Sequence, residues 1–394
     1  MYKKITLKPK KEESLKRFHP WVFSGAVAKA DSELEEGDIV EIYDSAGNYL
    51  ATGHCQIGSI AVRVLSFNRE KIDVSFWKKR LNEALLLRQK LSLSKGECNN
   101  IYRLVHCEGD FLPGLIIDIY GATAVVQAHS VGMHIAAEEI AEALSEVMPD
   151  EIRHIYYKSE TTLPFKAELG AENMYLKGKS SDNIAVENGL KFRIDWEKGQ
   201  KTGFFIDQRE NRSLLEKYSK DRSVLNMFCY TGSFSVYAVR GNAKLVHSVD
   251  SSAKAIDLTE KNLQLNFPEN ANHQSFVEDA FKYLDSMTGD EYDLIILDPP
   301  AFAKHKDSLR NALNGYRKLN AKAFEKIRPG GILVTFSCSQ AVDKHQFRLT
   351  VFTAAAQSGR KVRILHQLTQ PADHPINIYH PEGEYLKGLV LYIE

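Results

Sequence analysis

Residues 226–235 read NMFCYTGSFS and decide the fold of the carboxyl-terminal half of this 394-residue chain. The apolar run SVL at 223–225 leads into them, and a helical segment follows Gly232. An apolar strand that passes through a turn with one glycine into a helix is the repeating unit of a doubly wound α/β sheet. The turn lacks the three glycines of GxGxxG, which let a backbone approach a dinucleotide pyrophosphate, so nicotinamide and flavin cofactors are disfavoured.

The same alternation of strand and helix continues to the end of the chain. Between residues 196 and 394, helical stretches separate most of a series of apolar segments. The segments are SVLNMFC, LVHSVD, QSFVED, YDLIILD, GGILVTFSCS, KVRILHQL and GLVLYIE. Strands that are apolar throughout are typical of a largely parallel sheet with helices on both faces. Ligands bind such sheets at the carboxyl ends of the strands, so the residues that end each strand are the candidates for chemistry.

Two smaller domains are predicted before this α/β domain. Residues 1–72 contain short β-type runs with glycines at the turns, which predicts a small β-barrel. Residues 73–183 read helix, two strands, helix and strand, which is an α+β arrangement. Asn188 and Gly189 predict a hairpin at 184–196, and this hairpin leads into an α/β domain that spans 184–394.

The composition excludes several classes of function. Hydrophobic residues make up 43% and charged residues 26%, and 51 Lys and Arg balance 51 Asp and Glu. No global field therefore attracts nucleic acid or an anionic membrane, and any basic surface must be local. Without a long apolar run or a signal-like start, the chain is expected to be cytoplasmic with no membrane partner. The five cysteines form no CxxC pair, so neither a disulfide framework nor a metal site is predicted.

A local basic surface is present near the amino terminus. The cations that we name the basic segment are Lys8, Lys10, Lys11 and Arg17. Trp21 follows them, and cations beside an aromatic ring can bind RNA phosphates while the ring stacks on a base. The alternative is a solvated terminus with Trp21 and Phe23 in the core.

Acidic residues end the second and third strands of the α/β domain. Asp250 ends the strand after the glycine turn, where an acid can bind both hydroxyls of a ribose. Asp279 ends the next strand, where it can meet an adenine amino group. Helix capping is the alternative for either residue alone. The succession of one glycine turn and two acids on consecutive strands is more specific than each feature by itself.

The fourth and fifth strands end in different side chains. Asp298 is followed by Pro299 and Pro300, which stop the ladder and fix an extended loop because proline lacks the N–H. An acid held there can address the edge of a base. Cys338 ends the neighbouring strand, where a thiolate can attack C6 of a pyrimidine. The other four cysteines are expected to be small buried hydrophobic residues.

The motifs NMFCYTGSFS, VDSS, VEDAF, LDPPAF and TFSCSQ, in this order, resemble those of class I S-adenosylmethionine-dependent methyltransferases. TGFFIDQRENR, the amino-terminal FHPWVFSGAV, and ADHP with YHPEGEYLKG extend the resemblance along essentially the whole chain. The family that it resembles is ribosomal RNA large subunit methyltransferase I. The resemblance implies an amino-terminal PUA domain, a central α+β domain, a Rossmann-like methyltransferase domain, and methylation of a cytosine at C5 in 23S ribosomal RNA.

The resemblance also implies a role for each matching residue. The implied S-adenosylmethionine contacts are Asp207, Gln208, Arg209, Asn226, Phe228, Tyr230, Thr231, Gly232, Asp250, Ser251, Asp279, Ala280 and Asp298. The implied RNA contacts, besides the basic segment and Trp21, are Pro299, Pro300 and Phe302. Cys338 is implied as the nucleophile that adds to C6, and Asp298 as the acid that supports the base. The group that removes the C5 proton is not identified.

Three alternatives remain open. An enzyme for N7 of guanine or N6 of adenine has no use for Cys338, and Ala301 separates the second proline from Phe302, which weakens amino-group methylation. An enzyme that methylates uridine at C5 would also use the cysteine. The third alternative is a non-catalytic RNA-binding protein of ribosome assembly. The expected partner is 23S ribosomal RNA or a large-subunit assembly intermediate, and a homodimer is one option for the oligomeric state.

Overall fold

The structure is a computed structural model that describes residues 2–94, 96, 98–164, 169–269, 272–302 and 306–394. The chain divides into two compact units. Unit 1 comprises residues 1–189, 194–206 and 372–383, and unit 2 comprises residues 190–193, 207–371 and 384–394. The predicted pieces 1–72 and 73–183 thus both fall in unit 1, and the three-domain boundaries stay a prediction.

The first part of unit 1 is a six-stranded sheet with one short helix. Its elements are β1 Lys3–Leu7, α1 Glu13–Lys16, β2 Trp21–Phe23, β3 Val27–Ala30, β4 Ile39–Tyr43, β5 Tyr49–Cys55 and β6 Ile60–Ser66. The strand order is β2-β6-β5-β4-β1-β3, in which β1 and β4 are parallel. Val40 and Ile42 alternate with less buried neighbours in β4 and face a core, as a strand covered on one side requires.

The second part of unit 1 is a five-stranded sheet covered by helices. Its elements are α2 Val74–Lys90, β7 Ile101–His106, β8 Leu115–Tyr120, β9 Thr123–Ala128, α3 Val131–Ile135, α4 Ala137–Val147, β10 His154–Tyr157 and β11 Met174–Lys177. The strand order is β11-β10-β9-β8-β7. Asp73 caps α2, and Trp77 and Leu81 of that helix lie in the core.

The predicted hairpin turn lies between β12 Ile184–Glu187 and β13 Leu190–Arg193. Asn188 and Gly189 have φ of 50° and 79°, as both central residues of a type I′ turn require.

Unit 2 contains the doubly wound sheet, which confirms the predicted fold class. Its further elements are α5 Arg209–Ser219, β14 Ser223–Met227, α6 Ser233–Arg240, β15 Leu245–Asp250, α7 Ala253–Asn266, β16 His273–Val277, α8 Ala280–Ser286, β17 Leu294–Leu297, α9 Leu309–Lys326, β18 Ile332–Ser337, α10 Lys344–Ser358, β19 Val362–Thr369 and β20 Lys387–Ile393. The strand order is β16-β15-β14-β17-β18-β20-β19, in which β20 runs antiparallel to β18 and β19 and the other neighbouring pairs are parallel. The order reverses between β14 and β17, so a ligand crevice is expected at their carboxyl ends.

Candidate functional site

The glycine turn after β14 has an unusual backbone. Phe228 and Tyr230 have φ of 60° and 46°, in the left-handed region, and Gly232, with φ of 69°, is the N-cap of α6. A Cβ atom at Gly232 would lie 2.5 Å from Cγ2 of Thr259, so α7 excludes any side chain there. Left-handed residues other than glycine are costly and concentrate at ligand sites, because the surrounding structure must hold them in place. The turn is therefore a preformed cradle.

Asp250 supports this turn from the end of β15. Its Oδ2 accepts a hydrogen bond from the backbone N–H of Tyr230 (3.1 Å), and its Oδ1 accepts one from the N–H of Ser252 (2.9 Å). Asp250 is half-buried and Ser251 is exposed. A carboxylate has about four acceptor positions, so both oxygens can still accept from the hydroxyls of a ribose. Asp250 therefore orders the turn, a role that the sequence did not predict.

Asn226, Thr231 and Arg209 are buried. The Asn226 amide donates to Oγ of Ser235 (2.8 Å), and the Thr231 carbonyl accepts from Nδ2 of Asn262 (2.8 Å). These bonds tie β14 to α6 and the turn to α7. Through these contacts, Asn226 and Thr231 support the turn. Direct contacts of Asn226, Thr231 and Arg209 with the cofactor stay predictions.

Asp279 caps helix α8. Its Oδ1 accepts from the backbone N–H groups of Phe281 (2.9 Å) and Lys282 (3.1 Å), which is the capping interaction given as the alternative to an adenine contact. Asp279 is exposed, whereas Ala280 is buried. Because capping engages one oxygen of this exposed side chain, the adenine contact stays compatible with the geometry.

Asp298 follows β17 and belongs to a chain of polar groups. Nε2 of Gln208 donates to its Oδ2 (3.1 Å), and Nδ2 of Asn211 donates to Oε1 of Gln208 (2.6 Å). Oδ2 of Asp207 accepts from the hydroxyl of Tyr385 (2.7 Å). Burial, and after it the charge of Asp207, raises the pKa of Asp298 to about 7. A large fraction of the Asp298 carboxyl is therefore neutral at pH 7 and can donate a hydrogen bond.

Cys338 follows β18 and lies beside the proline loop. Its Sγ is 4.0 Å from the carbonyl oxygen of Pro299. Burial, and after it the charges of Asp298 and Asp207, raises the pKa of the thiol to about 12, while Lys387 acts in the opposite direction. The thiol is therefore protonated at rest, and it must lose its proton before it can act as a nucleophile.

The residues of the proline loop, which follows Asp298, differ in their exposure to solvent. Pro299 is buried and Pro300 is exposed. Phe302 is half-buried, and its ring centroid lies 4.6 Å from that of Tyr316. Of Pro299, Pro300 and Phe302, Pro300 is therefore the most open to a substrate, while the Phe302 ring packs on Tyr316 of α9.

All four cations of the basic segment are exposed in unit 1. Trp21 is half-buried, its Nε1 donates to Oε1 of Glu108 (2.9 Å), and the guanidinium of Arg63 lies 5.3 Å from the indole centroid. Phe23, by contrast, is 46% exposed. The alternative that placed both rings in the core is therefore wrong for Phe23.

Sequence reasoning missed Tyr385 and Lys387. Lys387 is only 5% exposed, and its Nζ donates to the carbonyls of Ser339 (2.6 Å) and Tyr385 (2.7 Å). In the antiparallel pair of β18 and β20 it lies opposite Ser337, one residue before Cys338. The available signal was a lysine at the first position of an otherwise apolar strand.

Two family models match the chain. A model described as a PUA-like domain matches residues 5–67, and one described as an S-adenosylmethionine-dependent methyltransferase matches residues 165–381. Two solved methyltransferase structures each align over 99% of both chains: one from Streptococcus mutans (24% identity, TM-score 0.83) and one in complex with SAH (25% identity, TM-score 0.84). The chain is therefore an S-adenosylmethionine-dependent methyltransferase with an amino-terminal PUA-like domain.

Curated relatives narrow this class. A protein of Tolumonas auensis is 41% identical over 398 residues, covering 98% of each chain, and one of Aeromonas salmonicida is 40% identical over 387 residues, covering 97% of each. Both are named ribosomal RNA large subunit methyltransferase I. The chain belongs to the ribosomal RNA large subunit methyltransferase I family, as the sequence motifs predicted.

The residues of unit 2 fit S-adenosylmethionine, the methyl donor of this family. Asp250 offers carboxylate oxygens beside the preformed turn, and Asp279 offers its own at the N-terminus of α8, after the neighbouring strand β16. Oδ1 of Asp207 is buried without a hydrogen-bond partner among the described residues, and the amino group of methionine is a donor of the kind that it lacks.

Within the described ranges, no helix is long and apolar enough to cross a membrane. The same ranges contain no cluster of three or more His, Cys, Asp or Glu side chains suited to a metal ion.

Proposed function

We propose that this enzyme methylates C5 of a cytosine in 23S ribosomal RNA, with Cys338 as the nucleophile. The observation that carries the proposal is a thiol and a carboxyl group at adjacent strand ends. Leu297 of β17 pairs with Thr335 of β18 in parallel, so the chain delivers Asp298 and Cys338 to the same edge of the sheet. Methylation of a ring or amino nitrogen needs no thiol at this place.

The chemistry needs a nucleophile because C5 of cytosine is itself weakly nucleophilic. Attack of the Cys338 thiolate forms the S–C6 bond and moves the electron pair of the C5–C6 double bond to C5. Bound S-adenosylmethionine supplies an electrophilic methyl group on its sulfonium sulfur. Loss of the C5 proton to a base then restores the double bond and expels the thiolate, so Cys338 ends as it began.

Asp298 is proposed to hold the base during this attack. Its neutral carboxyl can donate to N3 of cytosine, where negative charge develops as the thiolate adds to C6, and its second oxygen can accept from the N4 amino group. Only the protonated form can make the first of these bonds. Because the pKa of Asp298 is about 7, turnover per bound RNA should decline as the pH rises above this value.

The remaining contacts are proposed from the same edge of the sheet. The glycine turn would line the methionine moiety, Asp250 with Ser251 the ribose, and Asp279 with Ala280 the adenine. The side chains of Asp207, Gln208 and Arg209 would close the cofactor site on the side opposite the glycine turn. The basic segment and the residues of the proline loop would contact the RNA.

We place the enzyme in the cytoplasm with three domains, at 1–72, 73–183 and 184–394. The partner is 23S ribosomal RNA, either free or in a large-subunit assembly intermediate.

The test uses large-subunit RNA from a strain that lacks this protein. Wild type and Cys338→Ala are incubated with this RNA and S-adenosylmethionine, and the nucleosides are separated by mass spectrometry. The wild type should produce 5-methylcytidine and Cys338→Ala none, whereas Cys55→Ala, which alters a buried thiol of β5 in unit 1, should retain the same product. Formation of 5-methyluridine would show that the target base is uridine and would overturn the assignment of cytosine. A methylated purine made by Cys338→Ala would overturn the role of the thiol.

A further inference from the structure

Four large apolar side chains are exposed on two segments of unit 1. Phe18 and Phe23 are each 46% exposed, Tyr379 is 43% exposed and Ile378 is 85% exposed. The centroids of the Phe18 and Tyr379 rings lie 5.4 Å apart, so the amino-terminal and carboxyl-terminal segments meet here. We name these four residues the aromatic surface. Exposed apolar groups that cluster in this way mark interaction sites, whereas single ones need no explanation.

A rigid layer lies beneath the aromatic surface. The ring of Trp21 packs on that of His380 at a centroid distance of 4.3 Å. Glu108 joins the two segments, because its Oε1 accepts from the Trp21 indole N–H (2.9 Å) and its carbonyl accepts from Nδ2 of Asn377 (3.1 Å). Phe18 itself has φ of 61°, a left-handed conformation that is unusual for a bulky residue and is found where contacts enforce it. The exposed rings are therefore preorganised.

The rim of the aromatic surface is positively charged. Arg17 directly precedes Phe18, and Lys8 lies beside the turn that follows Phe23, with its Nζ 3.0 Å from the carbonyl of Gly25. For Arg17, as for Lys10 and Lys11, no ion pair is found within the described part of the chain. Exposed rings beside unpaired cations complement a polyanion that also carries flat apolar faces.

We propose that the aromatic surface is a stacking platform for single-stranded segments of the ribosomal RNA substrate. Bases stack on Phe18, Phe23 and Tyr379, and the basic segment neutralises the phosphates between them. A protein partner would need acidic side chains to match these cations, whereas RNA carries a phosphate between each pair of bases. The proposal deepens the proposed function, because it assumes an RNA substrate, but it does not depend on which base is methylated.

The test measures binding without cofactor or turnover. Fluorescence anisotropy with a labelled single-stranded RNA of about 20 nucleotides, long enough for several stacking sites, is recorded for wild type, Phe18→Ala, Tyr379→Ala and the double variant. Removal of one stacked base should weaken affinity by about 5- to 150-fold. Phe352→Ala removes an exposed ring from α10 in unit 2 and should leave affinity unchanged.

Salt dependence separates stacking from charge. The aromatic variants should lower affinity without altering the slope of log affinity against log salt, because they release no counterions. Unchanged RNA affinity in the double variant would overturn the proposal, and self-association that disappears in that variant would identify a protein interface in its place. Both readouts are independent of the methylated nucleoside, so a failure of the cytosine assignment would leave this result intact.

A second inference comes from the buried cation beside the nucleophile. Lys387 makes hydrogen bonds to two carbonyls, and within the described residues it forms no ion pair with a carboxylate. The ionisable groups around it are Cys338, Glu384, Asp343 and Lys344. A buried ammonium that lacks a counterion is costly unless a partner charge forms at some stage of function.

We propose that Lys387 is a positioning residue whose ammonium stabilises the thiolate of Cys338. The partner charge is then the thiolate itself, which forms when the thiol proton leaves to solvent and which Lys387 attracts while Asp298 and Asp207 oppose it. This inference rests on the proposed role of Cys338 as nucleophile.

Burial lowers the pKa of Lys387 to about 8, so the test is run at pH 7, where most of this lysine is charged. Cys338 is alkylated with iodoacetamide in the absence of RNA, and the product is measured by peptide-resolved mass spectrometry. Since the thiolate is the reactive form, an increase of one unit in the thiol pKa slows alkylation about tenfold. Lys387→Met should show a decrease of this size, and Lys387→Arg should recover most of the rate. Lys344→Met removes an exposed neighbouring cation and should alkylate as wild type does. An unchanged rate in Lys387→Met, or no recovery in Lys387→Arg, would overturn the role of this lysine even if cytosine methylation is established.

Discussion

The free energy of unfolding of Asp298→Asn, measured relative to wild type, should increase as the pH rises. The pKa of Asp298 is raised by burial from 3.8 to about 7, so between these values the unfolded chain has released a proton that the folded protein retains. The free energy of unfolding of the wild type therefore falls by about 1.4 kcal/mol per pH unit over this window, through Asp298 alone. The total loss is about 4 kcal/mol, complete above pH 7 and absent below pH 4.

Asp298→Asn cannot ionise and therefore escapes this loss. Between pH 5 and pH 8 its free energy of unfolding relative to wild type should rise by about 3 kcal/mol, on top of any constant offset from the changed bond to Gln208. Urea unfolding at several pH values measures the difference, in which the contributions of titrating groups that do not interact with Asp298 cancel. Asp279→Asn, at an exposed helix cap, serves as the control for replacing a strand-end carboxyl by an amide. A pH-independent difference for Asp298→Asn would refute the assignment of a neutral carboxyl.

Three further predictions address the glycine turn and the basic segment. Asp250→Ala should lower S-adenosylmethionine affinity by about 2 to 3 kcal/mol in calorimetry, because the variant cannot make the charge-assisted hydrogen bonds to the ribose and to the turn. Gly232→Ala should reduce the free energy of unfolding by about 2 to 4 kcal/mol, from left-handed strain and overlap with α7, and an equal melting temperature would contradict this. Replacing the basic segment by Ala should flatten the salt dependence of RNA binding by about 0.7 for each phosphate that is no longer neutralised, and superimposable slopes would exclude these cations.

The positions of the polar residues at the strand ends were predictable because they depend on local sequence. A parallel strand buried on both faces is apolar throughout, and the first polar residue after it must lie at the edge of the sheet. This logic placed Asp250, Asp298 and Cys338 at the carboxyl ends of their strands, where the structure has them. The type I′ turn at Asn188 and Gly189 followed in the same way from two residues.

Contacts between distant segments were not predictable. Nothing in the composition of residues 372–383 indicates that they belong to unit 1 while the strands on either side belong to unit 2. The packing of Trp21 on His380 joins residues at opposite ends of the chain, and one sequence cannot show such a pair. Side-chain exposure was also misjudged where a residue lies on a turn: Cys98 was expected to be buried and is exposed.

If Cys338 is the nucleophile, as proposed, the electrostatics around it explain how it can lie beside a reactive methyl donor. A thiolate present at all times would itself be methylated or oxidised, whereas the protonated thiol is a weak nucleophile. Burial and the two nearby carboxylates, of which Asp298 is the stronger influence, hold the thiol in this protected state. A cytosine bound through the protonated Asp298 would fix that carboxyl in its neutral form and remove one negative charge from the neighbourhood of the sulfur. The substrate would thereby lower the pKa of the thiol that attacks it, and the attraction of Lys387 would then act against less opposition.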